Sequence, residues 1–366
     1  GTNLGNGIWA DEVIALRFAD PNRTLAEVFQ LWASFDRHPY TYYFLLRMWM
    51  EVFGIGEYSA KTLNIILFCI SIIICYYLWP REKIREYLIF ISLNLTSFWA
   101  AFYLMEIKLY GALIAVSMFC ATCLYVIRHL QTTPDADGDR PRRFFRLAIV
   151  GTLLLSLFDV WGVLLAFGVL VSAFLLYGRL GLEVLIGRGF VIAMVVLFAL
   201  TALIYVHILV SHSHTDEPSF NTGQGFWELP AFMLWDFLER GFVTGRSKVL
   251  ALLGLVLLIA LSKGRIGRIK APIVLFILPP LIAYAVISIV NGLVGAAFYR
   301  GYSATPFLPF FFLFLTAVIH GADLRAPFRL AVVGLFLFAN LGSIPFFEKF
   351  PQKPLRLQSV DGVTQF

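Results

Sequence analysis

The sequence predicts an all-α integral membrane protein, a bundle of about ten spanning helices with amphipathic helices at the external membrane surface. Three observations lead to this fold class. Hydrophobic residues make up 59% of the chain and charged residues 14%, against about 25% charged in soluble proteins, and the mean hydropathy is +0.79. Apolar runs follow one another from residue 57 to residue 346. Most basic residues fall between these runs.

Residues 1–56 are too polar to span a membrane, yet aromatic and aliphatic residues recur at helical spacing over 24–35 and 40–53. Thr24 and Glu27 form the signature of a capping box, which predicts the start of the first of these helices. We expect both helices to lie in the membrane interface. A packed soluble subdomain is the alternative, and the few charges and many aromatic residues disfavour it.

The spans need about 20 apolar residues each to cross the hydrocarbon. They are predicted near 60–79, 87–105, 107–127, 146–158, 162–178, 190–211, 248–262, 272–290, 305–320 and 329–346. The fourth and fifth are short and separated by a turn at Asp159, because a single helix over both would be too long for a simple crossing.

The loops between spans set the orientation. Those at 80–86, 128–146, 179–189, 263–271 and 321–329 hold 16 of the 29 Lys and Arg residues. The positive-inside rule makes these loops cytoplasmic and places residues 1–56 outside. We therefore expect an upstream first span that this sequence does not include.

This topology predicts that the chain divides into three parts. Residues 1–56 form a first external loop with the amphipathic helices, and residues 57–346 form the transmembrane bundle, including an external loop at 212–247. Residues 347–366 form an external C-terminal tail. The loop at 212–247 contains a second amphipathic segment that could cover a cavity from outside.

Potential metal ligands are weak signals here. The four cysteines, Cys69, Cys75, Cys120 and Cys123, all lie in apolar runs and are interpreted as packing residues. His212, His214, Asp216 and Glu217 crowd into a short stretch of one loop, which is poor evidence for a metal site. No metal-binding residue is therefore assigned.

Composition and motifs also exclude several function classes. The net charge of +6 and pI near 9.1 would suggest nucleic-acid binding in a soluble protein, but here the basic residues serve as topology anchors. No Gly-rich phosphate loop, Rossmann fingerprint or Ser-His-Asp set is present in the sequence.

Three external groups could carry chemistry. Asp11 and Glu12 are adjacent acids next to the bilayer, where a carboxylate can take a proton from a hydroxyl; such a pair also commonly opens a surface helix. Glu106 and Lys108 lie between two spans and could instead be a snorkelling pair. Arg300, flanked by aromatic residues, suits a phosphate, or it could anchor an aromatic belt.

Several motifs in the first 110 residues match those of one enzyme family. They are Trp9-Ala10-Asp11-Glu12, His38-Pro39-Tyr40-Thr41-Tyr42-Tyr43, Phe53-Gly54, the pair Glu57 and Lys61, and the group Glu106, Lys108 and Tyr110. They resemble those of the polyprenyl-phosphate-dependent membrane glycosyltransferases of the GT-C superfamily. Within it, the branch of protein O-mannosyltransferases, aminoarabinose transferases and Rgt-type lipopolysaccharide glycosyltransferases is the most similar.

The resemblance implies a GT-C-like bundle and an inverting transfer of a sugar from a polyprenyl phosphate to an acceptor hydroxyl on the external face. Asp11 would be the general base and Glu12 would assist or orient it. The residues implied in binding the donor phosphate or lipid are His38, Tyr42, Lys108 and Arg300, with Arg246 as a weaker candidate. Those implied in acceptor binding or orientation are Lys61 and Glu106.

The chain departs from the family pattern at a few positions. Lys61 and Lys108 stand in place of the usual Arg, Tyr40 in place of a second Pro, and Asp159 where many relatives have a His-Tyr pair. These departures bear on the contacts with the donor phosphate more than on the reaction class.

The implied partners are a polyprenyl-phosphate-linked sugar, a glycan, lipid or protein acceptor, and membrane lipids, with no nucleic acid. No cofactor is required by the resemblance, and a divalent cation stays open. The implied location is a bacterial inner or plasma membrane, with the active site on the external or periplasmic side.

Two other function classes stay open. A multi-span transporter or lipid flippase of cell-envelope biogenesis would show a similar number of spans, although charged residues within the spans are nearly absent and no inverted repeat is visible. A non-catalytic scaffold of an envelope complex would tolerate the loss of Asp11.

Overall fold

A computed structural model of the protein describes residues 10–132 except 37, then 139–185, 271–294, 306–321 and 325–341, with a few helical positions between 195 and 254. In this part of the chain all regular elements are helices. They are α1 (Ala10–Phe18), α2 (Leu25–Phe35), α3 (Thr41–Phe53), α4 (Glu57–Leu78), α5 (Ile84–Thr96), α6 (Phe98–Leu104), α7 (Tyr110–Thr132), α8 (Asp139–Phe158), α9 (Val160–Leu185), α10 (Leu278–Val294), α11 (Leu308–Gly321) and α12 (Ala326–Leu341). A 3₁₀ turn at Arg81–Lys83 precedes α5, and a π-helical turn at Ile273–Ile277 precedes α10.

The predicted amphipathic helices near the N-terminus are confirmed as α2 and α3. Thr24 caps α2, and the capping box with Glu27 is complete in both directions. The hydrogen bonds from the backbone and hydroxyl of Thr24 lower the pKa of the exposed Glu27. A helix not predicted as an element, α1, precedes them, and the Asp11-Glu12 pair lies in its first turn.

The centre of the bundle is α7, which packs against α4, α8 and α11. Its 23 residues span about 35 Å at 1.5 Å per residue, enough to cross about 30 Å of hydrocarbon. Of the described helices, α4 and α7 are the two whose length and apolar composition suffice to cross a membrane. Most of the apolar stretch of α7 is buried, whereas α4 exposes Ile70 and Ile73 on its outer side.

The prediction of a single span near 87–105 is wrong, because the chain breaks at Ser97 into α5 and α6. The polar side chains at the break bond to nearby backbone: Asn94 donates to the carbonyl of Phe90, and Thr96 donates to that of Ser92. Ser97 then caps α6 by accepting the amide of Ala100. Such local bonds compete with helix continuation, which explains the break.

The predicted turn between the fourth and fifth spans is confirmed, since α8 ends at Phe158 and α9 begins at Val160. A Cβ at Gly162 would lie 2.1 Å from the carbonyl oxygen of Leu155, so the close approach of the two helices requires glycine there. Both helices are longer than predicted. The predicted spans at 190–211 and 248–262 lie almost wholly outside the described residues.

The cysteines divide into two groups. Cys75, Cys120 and Cys123 are buried free thiols inside the bundle, as expected of packing residues. Cys69 is exposed on the outer side of α4, so the expectation that it packs inside is wrong.

The contact between α9 and α10 yields a test of the packing. A Cβ at Gly168 would lie 2.5 Å from the carbonyl oxygen of Pro279, whereas one at Gly334 meets no described atom within 4 Å. We expect Gly168→Ala to destabilise the protein by about 1–3 kcal/mol, because backbone must move to admit the methyl group. Gly334→Ala should leave stability unchanged or slightly raised. Thermal unfolding in detergent measures both, and equal melting temperatures would contradict this packing.

Candidate functional site

The residues of the family-like motifs meet at one end of the bundle. There α1 packs against α2 and α3, and α3 packs against α4 and α8. The beginnings of α4 and α7 lie at this end, as does the junction between α8 and α9. Segments that are far apart in the sequence are thus neighbours at this end of the bundle.

Glu12 joins the first motif to the last. Its side chain is fully buried, and its Oε1 accepts the amide hydrogen of Ile107 at 2.9 Å, across 95 positions of sequence. Ile107 lies between Glu106 and Lys108 in the connection that precedes α7. The acid pair therefore opens a helix, as the simpler interpretation held, but Glu12 is not a surface residue.

The same connection is held from the other side by Asn64 of α4. Its amide nitrogen donates to the carbonyl oxygens of Glu106 and Lys108, each at 2.8 Å. Gly111 leaves room for this contact, since a Cβ there would lie 2.7 Å from Cγ of Asn64. Asn64 was not identified from the sequence; its signal is a polar residue one turn after Lys61 in an otherwise apolar span.

Two buried acids, Glu12 and Glu106, and the phenol of Tyr42 lie near this connection. Glu106 is 3% exposed and Glu12 is 0% exposed, and both lie close enough to Tyr42 to influence it. Burial raises the pKa of Tyr42, and the two carboxylates raise it further. Tyr42 is therefore a neutral phenol that can donate a hydrogen bond.

His38 connects the N-terminal segment with the junction between α8 and α9. Its Nδ1 lies 3.6 Å from Oδ2 of Asp159, which is 1% exposed. The other carboxylate oxygen of Asp159 accepts the amide of Trp161 at 3.3 Å. The imidazole also meets Tyr110 edge-on at 6.4 Å between ring centroids. A buried carboxylate needs such partners, and the sequence did not identify Asp159 as a site residue.

The segment around His38 is fixed by hydrogen bonds. Trp32 donates its indole N–H to the carbonyl of His38 at 2.7 Å. Asp36 accepts the backbone amide of His38 and the hydroxyl of Tyr43. Burial raises the pKa of Tyr43, and the Asp36 carboxylate adds to the shift, so this phenol keeps its proton. The position of His38 is thus set by the hydrogen bonds of its own backbone to Trp32 and Asp36 as well as by the contact of its side chain with Asp159.

Lys61 lies inside the protein. Its side chain is fully buried, and its Nζ lies 2.6 Å from Oε1 of Glu57 one turn earlier in α4. The order of acid before base, four residues apart, is the favourable one in a helix. Lys61 and Asn64 are three residues apart, so they share a face of α4.

Arg47 stabilises the turn between α1 and α2, a role that the sequence did not reveal. Its guanidinium donates to the carbonyl oxygens of Asp20, Pro21 and Arg23 at 2.9–3.3 Å and to the carboxylate of Glu51 at 3.0 Å. The planar, multiply donating group suits this set of acceptors better than a lysine would. The turn that leads out of α1 is thereby tied to α3.

No family model and no curated protein matches this chain. Among solved structures it is similar to ArnT from Cupriavidus metallidurans bound to undecaprenyl phosphate, with 16% identity and a TM-score of 0.50 over 87% of this chain and 57% of that one. The apo state of the same ArnT matches at 17% identity with a TM-score of 0.41, over 87% and 56%.

The chain shares the fold of this ArnT structure. The likeness to undecaprenyl-phosphate-bound ArnT confirms the predicted class, an all-α, multi-span membrane bundle. The likeness, at 16% identity, is one of fold. The chain spans a little over half the length of the ArnT chain that it matches.

Some of the sequence-predicted site residues lie outside the part of the chain that the structure describes. Arg246 and Arg300 lie outside the described residues, as do His212, His214, Asp216 and Glu217. The backbone of Asp11 lies in α1, but its side chain is outside the described part. Among the described residues, Glu12, Tyr42, Glu106 and the backbone of Lys108 come together around the connection before α7.

The role of Asn64 can be tested directly. In Asn64→Ala the carbonyls of Glu106 and Lys108 lose the donor that Asn64 supplies, so we expect a loss of about 1–3 kcal/mol and faster hydrogen exchange over residues 104–110. Thr62→Val is the matched control in α4, because the carbonyl of Ser59, which Thr62 contacts, keeps its bond from Trp49. Exchange mass spectrometry and thermal unfolding give the result. Unchanged hydrogen exchange over residues 104–110 in Asn64→Ala would show that the hydrogen bonds of Asn64 do not hold the connection before α7.

Proposed function

We propose that the protein is an inverting glycosyltransferase that moves a sugar from a polyprenyl phosphate to an acceptor hydroxyl on the external face of the membrane. The observation that carries the proposal is the hydrogen bond that the amide of Ile107 donates to Glu12, which joins the Asp-Glu motif to the Glu-x-Lys-x-Tyr motif. It is supported by the GT-C-like fold, shared with an ArnT structure that contains undecaprenyl phosphate.

In this mechanism Asp11 accepts the proton of the acceptor hydroxyl as its oxygen attacks the anomeric carbon of the sugar. The bond from that carbon to the phosphate oxygen breaks, and the polyprenyl phosphate leaves with the bonding electron pair. The attack comes from the side opposite the leaving group, so the configuration inverts. No nucleotide sugar is needed, which suits a reaction outside the cytoplasm.

Glu12 serves as the orienting acid rather than as the base. It is fully buried, and one of its oxygens is committed to the amide of Ile107. This bond fixes the first turn of α1 against the connection that precedes α7. The geometry of the helix that carries Asp11 therefore depends on Glu12.

Cations would stabilise the negative charge that develops on the leaving phosphate. The candidates are His38, Lys108, Arg300 and, more weakly, Arg246, with Tyr42 as a neutral donor. The side chain of His38 is 28% exposed, which leaves part of it accessible while Asp159 holds Nδ1. Lys61 and Glu106 would orient the acceptor or their neighbours from buried positions.

The proposed donor is a lipid-linked sugar, and the acceptor is a glycan, lipid or protein hydroxyl. The branch proposed within the GT-C superfamily is that of protein O-mannosyltransferases, aminoarabinose transferases and Rgt-type enzymes. The proposed location is a bacterial inner or plasma membrane, with residues 1–56 on the external side. Mass spectrometry of the lipid that co-purifies with the protein would identify the donor for the assays below.

The role of the base is tested by Asp11→Asn, which keeps the size of the side chain but cannot accept the proton. Turnover of the identified lipid-linked sugar should fall by about 10²–10⁴-fold while donor binding stays nearly constant. Glu12→Gln is the comparison, since its amide oxygen can still accept the Ile107 amide, and its loss should be milder. Near-normal turnover in Asp11→Asn would transfer the role to another external acid, such as Asp36. If the variants of Glu12, Asp36 and Glu106 were also silent, the proposed reaction would be given up.

Donor binding is tested separately by Lys108→Ala and Arg300→Ala. Losing one charge-assisted hydrogen bond to the phosphate costs about 1.5–3 kcal/mol, or roughly ten- to a hundredfold in affinity. Arg23→Ala removes the same charge from an exposed position that pairs with Asp20, and it should bind the donor normally. Equal affinities in the three variants would remove Lys108 and Arg300 from the phosphate site.

A further inference from the structure

A cluster of exposed arginines lies at the start of α8. Four arginines fall within seven positions and are all exposed; they are Arg140, Arg142, Arg143 and Arg146. Asp139, the first residue of the helix, is the one acid among residues 139–146. These eight residues therefore have a net charge of +3, because four arginines stand against one aspartate.

Three of these arginines lie on one face of the helix. Residues three positions apart are neighbours on a helix surface, so Arg140, Arg143 and Arg146 form a single row, which we call the arginine face. Within the described part of the chain, their three guanidinium groups have no ion-pair or hydrogen-bond partner. Their donors are therefore available to a group that approaches the helix from outside.

The arginine face continues along α8 into exposed apolar surface. Leu147, Val150 and Leu154 are 36%, 44% and 41% exposed. They follow Arg143 by four, seven and eleven positions, so they share its side of the helix. The opposite side is buried against the bundle, where it places Phe145, Ala148, Ile149 and Thr152. In a membrane-spanning bundle the exposed apolar side is the one that contacts lipid chains.

The arginine face lies near the membrane surface opposite the candidate active site. Gly151 of α8 packs against α7, since a Cβ on it would lie 2.4 Å from Sγ of Cys120. Arg143 precedes Asp159 by 16 positions, which corresponds to about 24 Å of helix. Arginine side chains extend further towards the headgroups, and the hydrocarbon layer is about 30 Å thick. The guanidinium groups are therefore at headgroup level.

The charges of the arginine face are unfavourable for α8 by itself. The first turns of a helix carry partial positive charge, so cations there are disfavoured and anions are favoured. Like charges that are neighbours on a helix surface also repel one another. An anionic group bound from outside removes both costs. Because the lipid-facing residues begin directly after the arginines, the anions nearest to this row are lipid headgroups.

We propose that the arginine face binds the phosphates of anionic phospholipids in the leaflet opposite the candidate active site, cytoplasmic in the predicted orientation. The guanidinium groups of Arg140, Arg143 and Arg146 donate to the phosphate oxygens, for which their planar forks are suited. The acyl chains lie along the apolar residues that follow on the same side of α8. This site does not depend on the reaction proposed above.

The test compares two double variants that remove the same charge. Arg143→Gln with Arg146→Gln takes two guanidinium groups from the arginine face. Arg23→Gln with Arg81→Gln takes two exposed arginines from elsewhere, one beside Asp20 and one over the ring of Tyr76. The full chain in detergent is titrated with phosphatidylglycerol, and native mass spectrometry counts the bound lipids.

We expect phosphatidylglycerol to bind the first double variant at least about tenfold more weakly, because charge-assisted hydrogen bonds to the phosphate are lost. In the second the affinity should stay within about twofold of that of the natural chain, since Arg23 and Arg81 lie on separate turns and share no headgroup. Equal losses in the two double variants would show that net charge alone governs binding, and they would overturn the proposal.

The melting temperature without added lipid distinguishes a binding role from a structural one. Arg143→Gln with Arg146→Gln should melt at the same temperature as the natural chain or slightly higher, because repulsion at the start of α8 is relieved. A clearly lower melting temperature would show that these arginines stabilise the protein itself, and it would overturn the proposal of a free binding face.

The kind of anion is distinguished by two further titrations of the natural chain. Phosphatidylcholine carries a phosphate without net negative charge and should bind much more weakly than phosphatidylglycerol. A soluble oligoglutamate peptide supplies negative charge without acyl chains and should also bind much more weakly. Equal binding of the two phospholipids would overturn the proposal, and equal binding of the peptide would assign the arginine face to an acidic protein segment instead of a lipid.

Discussion

The candidate active site depends on how one short connection is held. Residues 105–109 enter α7 without regular structure, so their backbone groups need partners elsewhere. The carboxylate of Glu12 accepts the amide hydrogen of Ile107, and the side-chain amide of Asn64 donates to the carbonyl oxygens of Glu106 and Lys108. Because the first partner comes from α1 and the second from α4, the same bonds also fasten the N-terminal helices to the bundle.

Buried ionisable side chains near this connection also have partners within the protein. His38 faces Asp159, and Lys61 lies against Glu57. The buried charge of Lys61 needs compensation within the protein, and removing its partner would leave that charge uncompensated. The site is therefore preorganised by interactions that contribute little net stability but fix the positions of its side chains.

The parts of the fold that were predicted from the sequence depend on local signals. The capping box of Thr24, the amphipathic spacing of α3 and the turn before Val160 each lie within a few residues of the feature they determine. The break at Ser97 was missed because apolar residues flank it and polar side chains end the helix only by bonding to their own backbone. Asn64 and Asp159 were missed for a different reason, since their partners lie 42 and 121 positions away, and no spacing rule links them.

Helix length explains why those distant residues meet. Each long helix begins near one surface of the bundle and ends near the other, so consecutive connections alternate between two levels about 30 Å apart. Residues at the start of α4, the start of α7 and the junction of α8 with α9 share one level, whatever their separation in sequence. Lys83, Arg128 and His320 share the other. The ionisable groups of these connections are thereby brought together at two levels about 30 Å apart, one at each surface of the bundle.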